Sequence, residues 1–213
     1  MCSSDLVSES SVSREHRIIL GHDGLLTIAG GKLTTYRRMA RQIVDNVVQM
    51  LRLADSLPET LSEARTDQVP LPGGRFWPAD DLVGIAVKCF ERAGGTIDER
   101  RAGFLATTYG TLSDSLAELL RENPELAQPL APQRPELLVQ VDWAVRRELA
   151  ATLGDVMVRR TQLFFRDPDQ GLGIAPTVAA RMSALLGWSR DREHDELARY
   201  RDEVGRSRAW REG

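Results

Sequence analysis

A mainly helical chain is predicted, in which two strands and a helix form the end of an α/β unit and an all-helical domain follows. Three observations carry this expectation. Two short apolar runs stand ahead of a glycine pair, a stretch rich in Ser, Pro and Gly then interrupts the pattern, and beyond it apolar residues recur at helical spacing with no convincing strand. At 213 residues, 42% hydrophobic and 28% charged, the chain can bury one good core or two small ones.

His16–Leu20 (HRIIL) reads as a first strand and Leu25–Ala29 (LLTIA) as a second, with His22-Asp23-Gly24 turning between them. An isolated hairpin is marginal in water, so these strands are expected to complete a larger sheet. Gly30-Gly31-Lys32 then turns the backbone sharply into a helix over Thr35–Ala54, which sets Met39, Ile43, Val47 and Leu51 along one face. Thr34 or Thr35 would serve as an ordinary N-cap. The first turn of a helix also leaves N–H groups unpaired and carries roughly half a positive charge, so with Lys32 beside it the turn suits an anion or an electron-rich ring.

The expected organisation is a non-native leader at residues 1–6, the end of the α/β unit at 7–55, a linker at 56–74 and an all-helical domain at 75–213. The leader is suspect because Cys2-Ser3-Ser4-Asp5-Leu6 is what the end of a common sequencing adapter encodes; a native Ser-rich tail is the alternative. Helices are expected over Asp80–Ala93, Ile97–Tyr109, Leu112–Glu122, Pro135–Leu149, Gly154–Phe165, Pro176–Leu186 and Arg190–Trp210, packed as a bundle with short connections.

Most conspicuous residues of the helical part read as structural. Trp143 lies near Leu138 and Val139 and reads as a core anchor. Arg146, Arg147, Arg159 and Arg160 share their helices with Glu136, Asp142, Glu148 and Asp155, which favours inter-helix ion pairs over a phosphate or lipid site. Asp155 follows Gly154 and is expected to cap its helix. From Arg190 onward seven arginines balance seven acids, the mark of a solvated helix. His16, His22 and His194 have no evident acid-base partner, and none reads as a general base. Cys2 and Cys89 make neither a disulfide framework nor a metal-ligand spacing, so no metal is expected and a reducing cytoplasm is the default. The formal charge of -3 gives no reason to expect nucleic acid, and no apolar run approaches the roughly 18 residues of a membrane span.

Three stretches together carry a family resemblance. Ser13-Arg14-Glu15-His16-Arg17-Ile18, followed by Asp23–Ala29 and GGKLTTYRRMA, closely resembles the end of the flavin domain in FAD-dependent, quinone-linked (aerobic) glycerol-3-phosphate dehydrogenases. Val69-Pro70-Leu71-Pro72-Gly73-Gly74 is similar to that family's connection into its C-terminal helical domain, and Asp155–Thr161 (DVMVRRT) to that domain's hallmark helix. The Gly-rich segment that grips the ADP half of FAD has no counterpart here.

The resemblance implies the C-terminal part of an enzyme that oxidises glycerol 3-phosphate to dihydroxyacetone phosphate, with FAD as cofactor and quinone as electron acceptor. It implies that Gly30, Gly31, Lys32, Leu33 and Thr34 contact the flavin, that Lys32 also reaches the substrate in a catalytic role, and that Arg14 binds the glycerol phosphate. The general base is then expected upstream of these residues. The protein would be cytoplasmic, peripheral on the cytoplasmic membrane in its full length, and a possible homodimer. Two alternatives stay open: oxygen in place of quinone, as in a glycerol-3-phosphate oxidase, and a non-catalytic helical docking or oligomerisation module over residues 75–210.

Overall fold

The structure is a computed structural model and describes residues 15–54, 56–57, 61–75, 81–92 and 97–211. The proposed leader, Arg14 and the starts of several expected segments lie outside the described residues. The chain forms two compact units, Met1–Pro70 and Leu71–Gly213.

In the first unit β1 (Arg17–Leu20) pairs antiparallel with β2 (Leu26–Ala29), Arg17 opposite Ala29 and Leu20 opposite Leu26. The hairpin is closed by Gly21 N–H donating to the Leu25 carbonyl at 2.8 Å and by Leu25 N–H donating to Asp23 Oδ1 at 3.1 Å, while Gly24 takes φ +82°. That angle is open to glycine and costly for most other residues. A single 3-10 turn, Leu33–Thr35, leads into α1 (Tyr36–Leu53). No described residue between 15 and 70 is buried, and Ile19, Leu20 and Leu25 are each more than half exposed. The apolar stripe expected on α1 is present but graded: Met39 and Ile43 are half-buried, whereas Val47 and Leu51 are each 39% exposed.

The second unit is helical and owns a real interior. It comprises α2 (Leu82–Arg92), α3 (Glu99–Tyr109), α4 (Ser113–Glu122), α5 (Val139–Glu148), α6 (Leu163–Arg166), α7 (Ala175–Leu186) and α8 (Arg190–Arg208). Two cores meet at α5. Val139 and Trp143 pack with Phe90, Leu105, Leu116 and Leu126, while Val141 and Ala144 pack with Leu153, Met157, Val178 and Met182. Trp143 is an anchor as expected, edge-on to Tyr109 and donating Nε1–H to Glu148. At the start of the unit, Gly73 and Gly110 lie back to back in left-handed conformations, and a Cβ on either would strike the other segment's backbone.

Four expectations need correction. The helix expected from Pro135 begins only at Val139, because Pro135–Leu138 is drawn into an antiparallel bridge: Leu130 N–H donates to the Glu136 carbonyl and Leu138 N–H to that of Gln128. The helix expected over Gly154–Phe165 is two pieces, a π-helical segment Asp155–Arg160 and the short α6, separated by Gln162 at φ +57°. Thr161 ends the wide turn by donating both N–H and hydroxyl to the Val156 carbonyl, which removes the acceptor that a continuous α-helix would use. Asp155 does not cap its own helix; its carboxylate collects the preceding N–H groups of Ala151 and Thr152 at 3.1 and 3.0 Å. Arg146, Arg159 and Arg160 are paired, but Arg146 with Asp142 and Arg159 with Asp155 pair within one segment, and of the three only Arg160, with Glu148, joins different segments; the main inter-helix pair is the buried Asp142 with Arg181, at 2.6 and 2.8 Å.

Candidate functional site

The Gly30–Thr34 turn is built on the edge of β1 and the first turns of α1. Gly30 and Gly31 take φ +82° and +90°. A Cβ on Gly30 would sit 2.8 Å from the Glu15 carbonyl oxygen, and one on Gly31 would sit 2.6 Å from Met39 Sδ and 3.3 Å from His16 Cβ. The glycines are therefore required twice over, by dihedral angle and by close approach. Lys32 returns to extended backbone (φ -123°, ψ 149°), and its side chain is exposed with no ion-pair partner among the described residues.

The outer face of the turn is open. Leu33 is 88% exposed, Thr34 is exposed, and neither amide has an acceptor among the described residues. Such free N–H groups at a helical start, with a cation alongside, make a region of positive potential that suits a negatively charged or electron-rich group. Thr35 does not act as an N-cap. Its hydroxyl donates to the Lys32 carbonyl at 2.9 Å and faces both the Lys32 amide at 3.4 Å and Met39 Sδ at 3.5 Å, so it ties the turn together from within.

Beneath the turn lies a layer that the sequence did not reveal. His16 Nε2–H donates to Gln42 Oε1, joining the residue before β1 to α1, and His16, Met39 and Gln42 are all half-buried where no described residue from 15 to 70 is fully buried. The sequence placed Met39 on the inner face of the helix, but nothing in it pairs His16 with a residue 26 positions away. Arg14, the expected phosphate ligand, lies outside the described residues.

The perturbed titratable groups are elsewhere, in the helical unit. Burial pushes the Tyr109 hydroxyl up to about 12, against the opposing effect of the hydrogen bond from Gln140. A shared hydrogen bond raises Asp167 and lowers Asp169. These groups cap and tie loops: Asp167 accepts from Gly171 N–H, and Asp169 from Gly173 N–H. Among the described residues, no three His, Cys, Asp or Glu side chains gather as a metal site would require, and no helix is long and apolar enough to cross a membrane.

Residues 64–193 match the family profile described as the C-terminal domain of alpha-glycerophosphate oxidase. The chain belongs to this family. It is 33% identical over 190 residues to the probable mitochondrial glycerol-3-phosphate dehydrogenase of Dictyostelium discoideum, covering 89% of this chain and 28% of that protein. It is 31% identical over 193 residues to glycerol-3-phosphate dehydrogenase 2 of Mycobacterium tuberculosis, covering 90% of this chain and 31% of that protein. Among solved structures, the glycerol-3-phosphate dehydrogenase from Bacillus halodurans complexed with FAD superposes with a TM-score of 0.66 at 26% identity, over 88% of this chain and 36% of that one. The chain thus spans about a third of the length of these relatives, and the matched profile covers the helical unit from its start into the first residues of α8.

Proposed function

We propose that this chain acts as the C-terminal portion of a flavoprotein that oxidises sn-glycerol 3-phosphate to dihydroxyacetone phosphate. Bound FAD supplies the acceptor, at N5, for the hydride that leaves C2 of the substrate. The observation that carries this reading is the turn itself: Gly30 and Gly31 in left-handed conformations, with an exposed Lys32 and the Leu33 and Thr34 amides all without a partner among the described residues. Relatives named glycerol-3-phosphate dehydrogenase, one solved with FAD, support it.

In this proposal Gly30, Gly31, Leu33 and Thr34 bring bare backbone against the flavin ring, where open N–H groups stabilise negative charge as it develops. Lys32 adds a mobile cation to the same place, touching both ring and substrate, and Arg14 holds the phosphate through a fork of N–H donors. The proton acceptor for the substrate hydroxyl comes from outside residues 1–213. We take quinone as the electron acceptor, with the protein peripheral on the cytoplasmic face of a membrane and a homodimer as the assembly. Oxygen is the second reading, favoured by the oxidase in the description of the matched family.

The test is a complete reading frame carrying this segment, purified with FAD and assayed with glycerol 3-phosphate against a soluble quinone and against oxygen. Substrate-dependent bleaching of the flavin is expected, together with a loss of about 100-fold or more in kcat/KM for Lys32→Met, as removal of a transition-state charge partner produces. Bleaching that is absent, or unchanged in Lys32→Met, overturns the proposal. The 213-residue chain alone is expected to hold FAD weakly and to show no turnover.

A further inference from the structure

We propose that His16 and Gln42 are positioning residues for the flavin-facing turn, acting through Met39 and Gly31 rather than by touching ligand. The inference rests on the function proposed above for Gly30–Thr34, but its geometry is independent of it. His16 immediately precedes β1 and Gln42 lies on the second turn of α1, and the His16 Nε2–H to Gln42 Oε1 bond ties the two together beside Gly31. An ideal Cβ on Gly31 would meet Met39 Sδ at 2.6 Å and His16 Cβ at 3.3 Å, so both side chains pack against the face of Gly31 from which a side chain would project. Met39 is in turn in contact with the Thr35 hydroxyl, which bonds the Lys32 carbonyl. A continuous chain therefore runs from Gln42 through His16, Gly31 and Met39 to Thr35 and the backbone of Lys32.

The need for such a device follows from burial. No described residue from 15 to 70 is fully buried, so among these residues the ties of the turn are the half-buried side chains beneath it. A glutamine at position 16 can present its amide N–H at the same place, whereas a phenylalanine fills the space without a donor.

Two measurements test this. In the 213-residue chain, exchange of the Lys32 and Thr35 amides, the bonded N–H groups of the turn, is expected to quicken about tenfold in His16→Phe and Gln42→Leu and to stay within about threefold of the parent in His16→Gln. In the complete FAD-loaded protein, His16→Phe should lower kcat for glycerol 3-phosphate about tenfold with KM changed less than threefold and should shift the bound flavin spectrum, while His16→Gln recovers both. Unaltered exchange in His16→Phe and Gln42→Leu overturns the inference. So does a His16→Gln variant as impaired as His16→Phe, since volume or ring packing would then be the cause. If exchange responds as expected but the parent protein neither binds FAD nor oxidises glycerol 3-phosphate, it is the proposed function that fails and the positioning layer that stands.

Discussion

Replacing Gly30 by alanine separates two reasons for a glycine, because Gly24 in the same hairpin supplies an internal control. Both residues have φ +82°. A Cβ on Gly24 meets nothing within 4 Å, whereas one on Gly30 lies 2.8 Å from the Glu15 carbonyl oxygen. The dihedral alone costs an L-residue about 1–2 kcal/mol, and this is the whole expected effect of Gly24→Ala. At Gly30 the obstacle is backbone, which cannot swing aside as a side chain can, so backbone displacement adds about 1–3 kcal/mol more. Gly31→Ala falls between, because Met39 Sδ and Cε at 2.6 and 2.9 Å belong to the end of a flexible side chain.

The quantity to measure is amide hydrogen exchange of the β1–β2 hairpin, Arg17–Ala29, in the 213-residue chain. An added 1–3 kcal/mol corresponds to exchange roughly 5- to 150-fold faster in Gly30→Ala than in Gly24→Ala. Met39→Ala in the Gly31→Ala background should recover part of the loss, since it removes the atoms in the way. Equal rates in Gly24→Ala and Gly30→Ala would refute the close approach of the turn to Glu15 and, with it, the argument that this glycine pair is shaped by what lies beneath it.

Two predictions concern the helical unit. Asp142 is buried and holds Arg181 through two bonds of 2.6 and 2.8 Å and Arg146 at 3.4 Å, so Asp142→Ala should destabilise by about 2–3 kcal/mol. Because Arg181 and Arg146 still reach solvent, the figure is set at the lower edge for a broken buried pair; chemical denaturation checks it, and Asp142→Ala/Arg181→Ala should be less than additive. Asp155 bears on acid sensitivity: burial acts to raise its pKa, but hydrogen bonds from Thr152 and the Ala151 and Thr152 amides, with the Arg159 charge, outweigh it and leave the carboxyl below its usual value. A depressed folded pKa stabilises above the ordinary carboxylate range and is lost as pH falls through the folded value. Asp155→Asn should therefore be less stable than the parent at pH 7, and thermal melts should show the gap closing below about pH 4.

Segments whose structure depends on local periodicity were legible in the sequence. Expected Pro176–Leu186 became Ala175–Leu186, and expected Leu112–Glu122 became Ser113–Glu122, because apolar spacing and terminal chemistry both act within a few residues. The departures have tertiary causes. Pro135–Leu138 is helical in pattern but is claimed by a bridge to Gln128–Leu130, alongside a Glu136 that is fully buried and held by Arg134 at 3.0 and 3.1 Å. The π-helical turn at Asp155–Arg160 preserves the same apolar residues as an α-helix would, so composition does not distinguish them; Arg160 bonding back to the Glu148 carbonyl at 2.8 Å is part of what holds this arrangement. The site divides the same way. Paired glycines announced left-handed backbone, and a lysine before a helix announced a cation, while the partners of Asp142 and His16 stand 39 and 26 residues away and leave no local trace.

The two units also differ in where their order comes from. α5 is held from two sides, with Val139 and Trp143 in one core and Val141 and Ala144 in the other, so the helical unit repays its own chain entropy by burial. The hairpin and α1 bury nothing completely, and their apolar side chains, Ile19, Leu20, Leu25 and Val44, remain about half exposed or more. Among the described residues, the hairpin and helix are tied to each other by hydrogen bonds and half-buried contacts, each contributing about 1 kcal/mol or less after exchange with water. Small contributions then matter most where they converge, and in this unit they converge on one turn: His16 with Gln42, Thr35 with Lys32, Met39 against Gly31. A chain that holds its most reactive-looking turn through several weak, separable ties can lose the turn without losing the helix that follows it, which is why substitutions there are expected to change site chemistry before they change the fold.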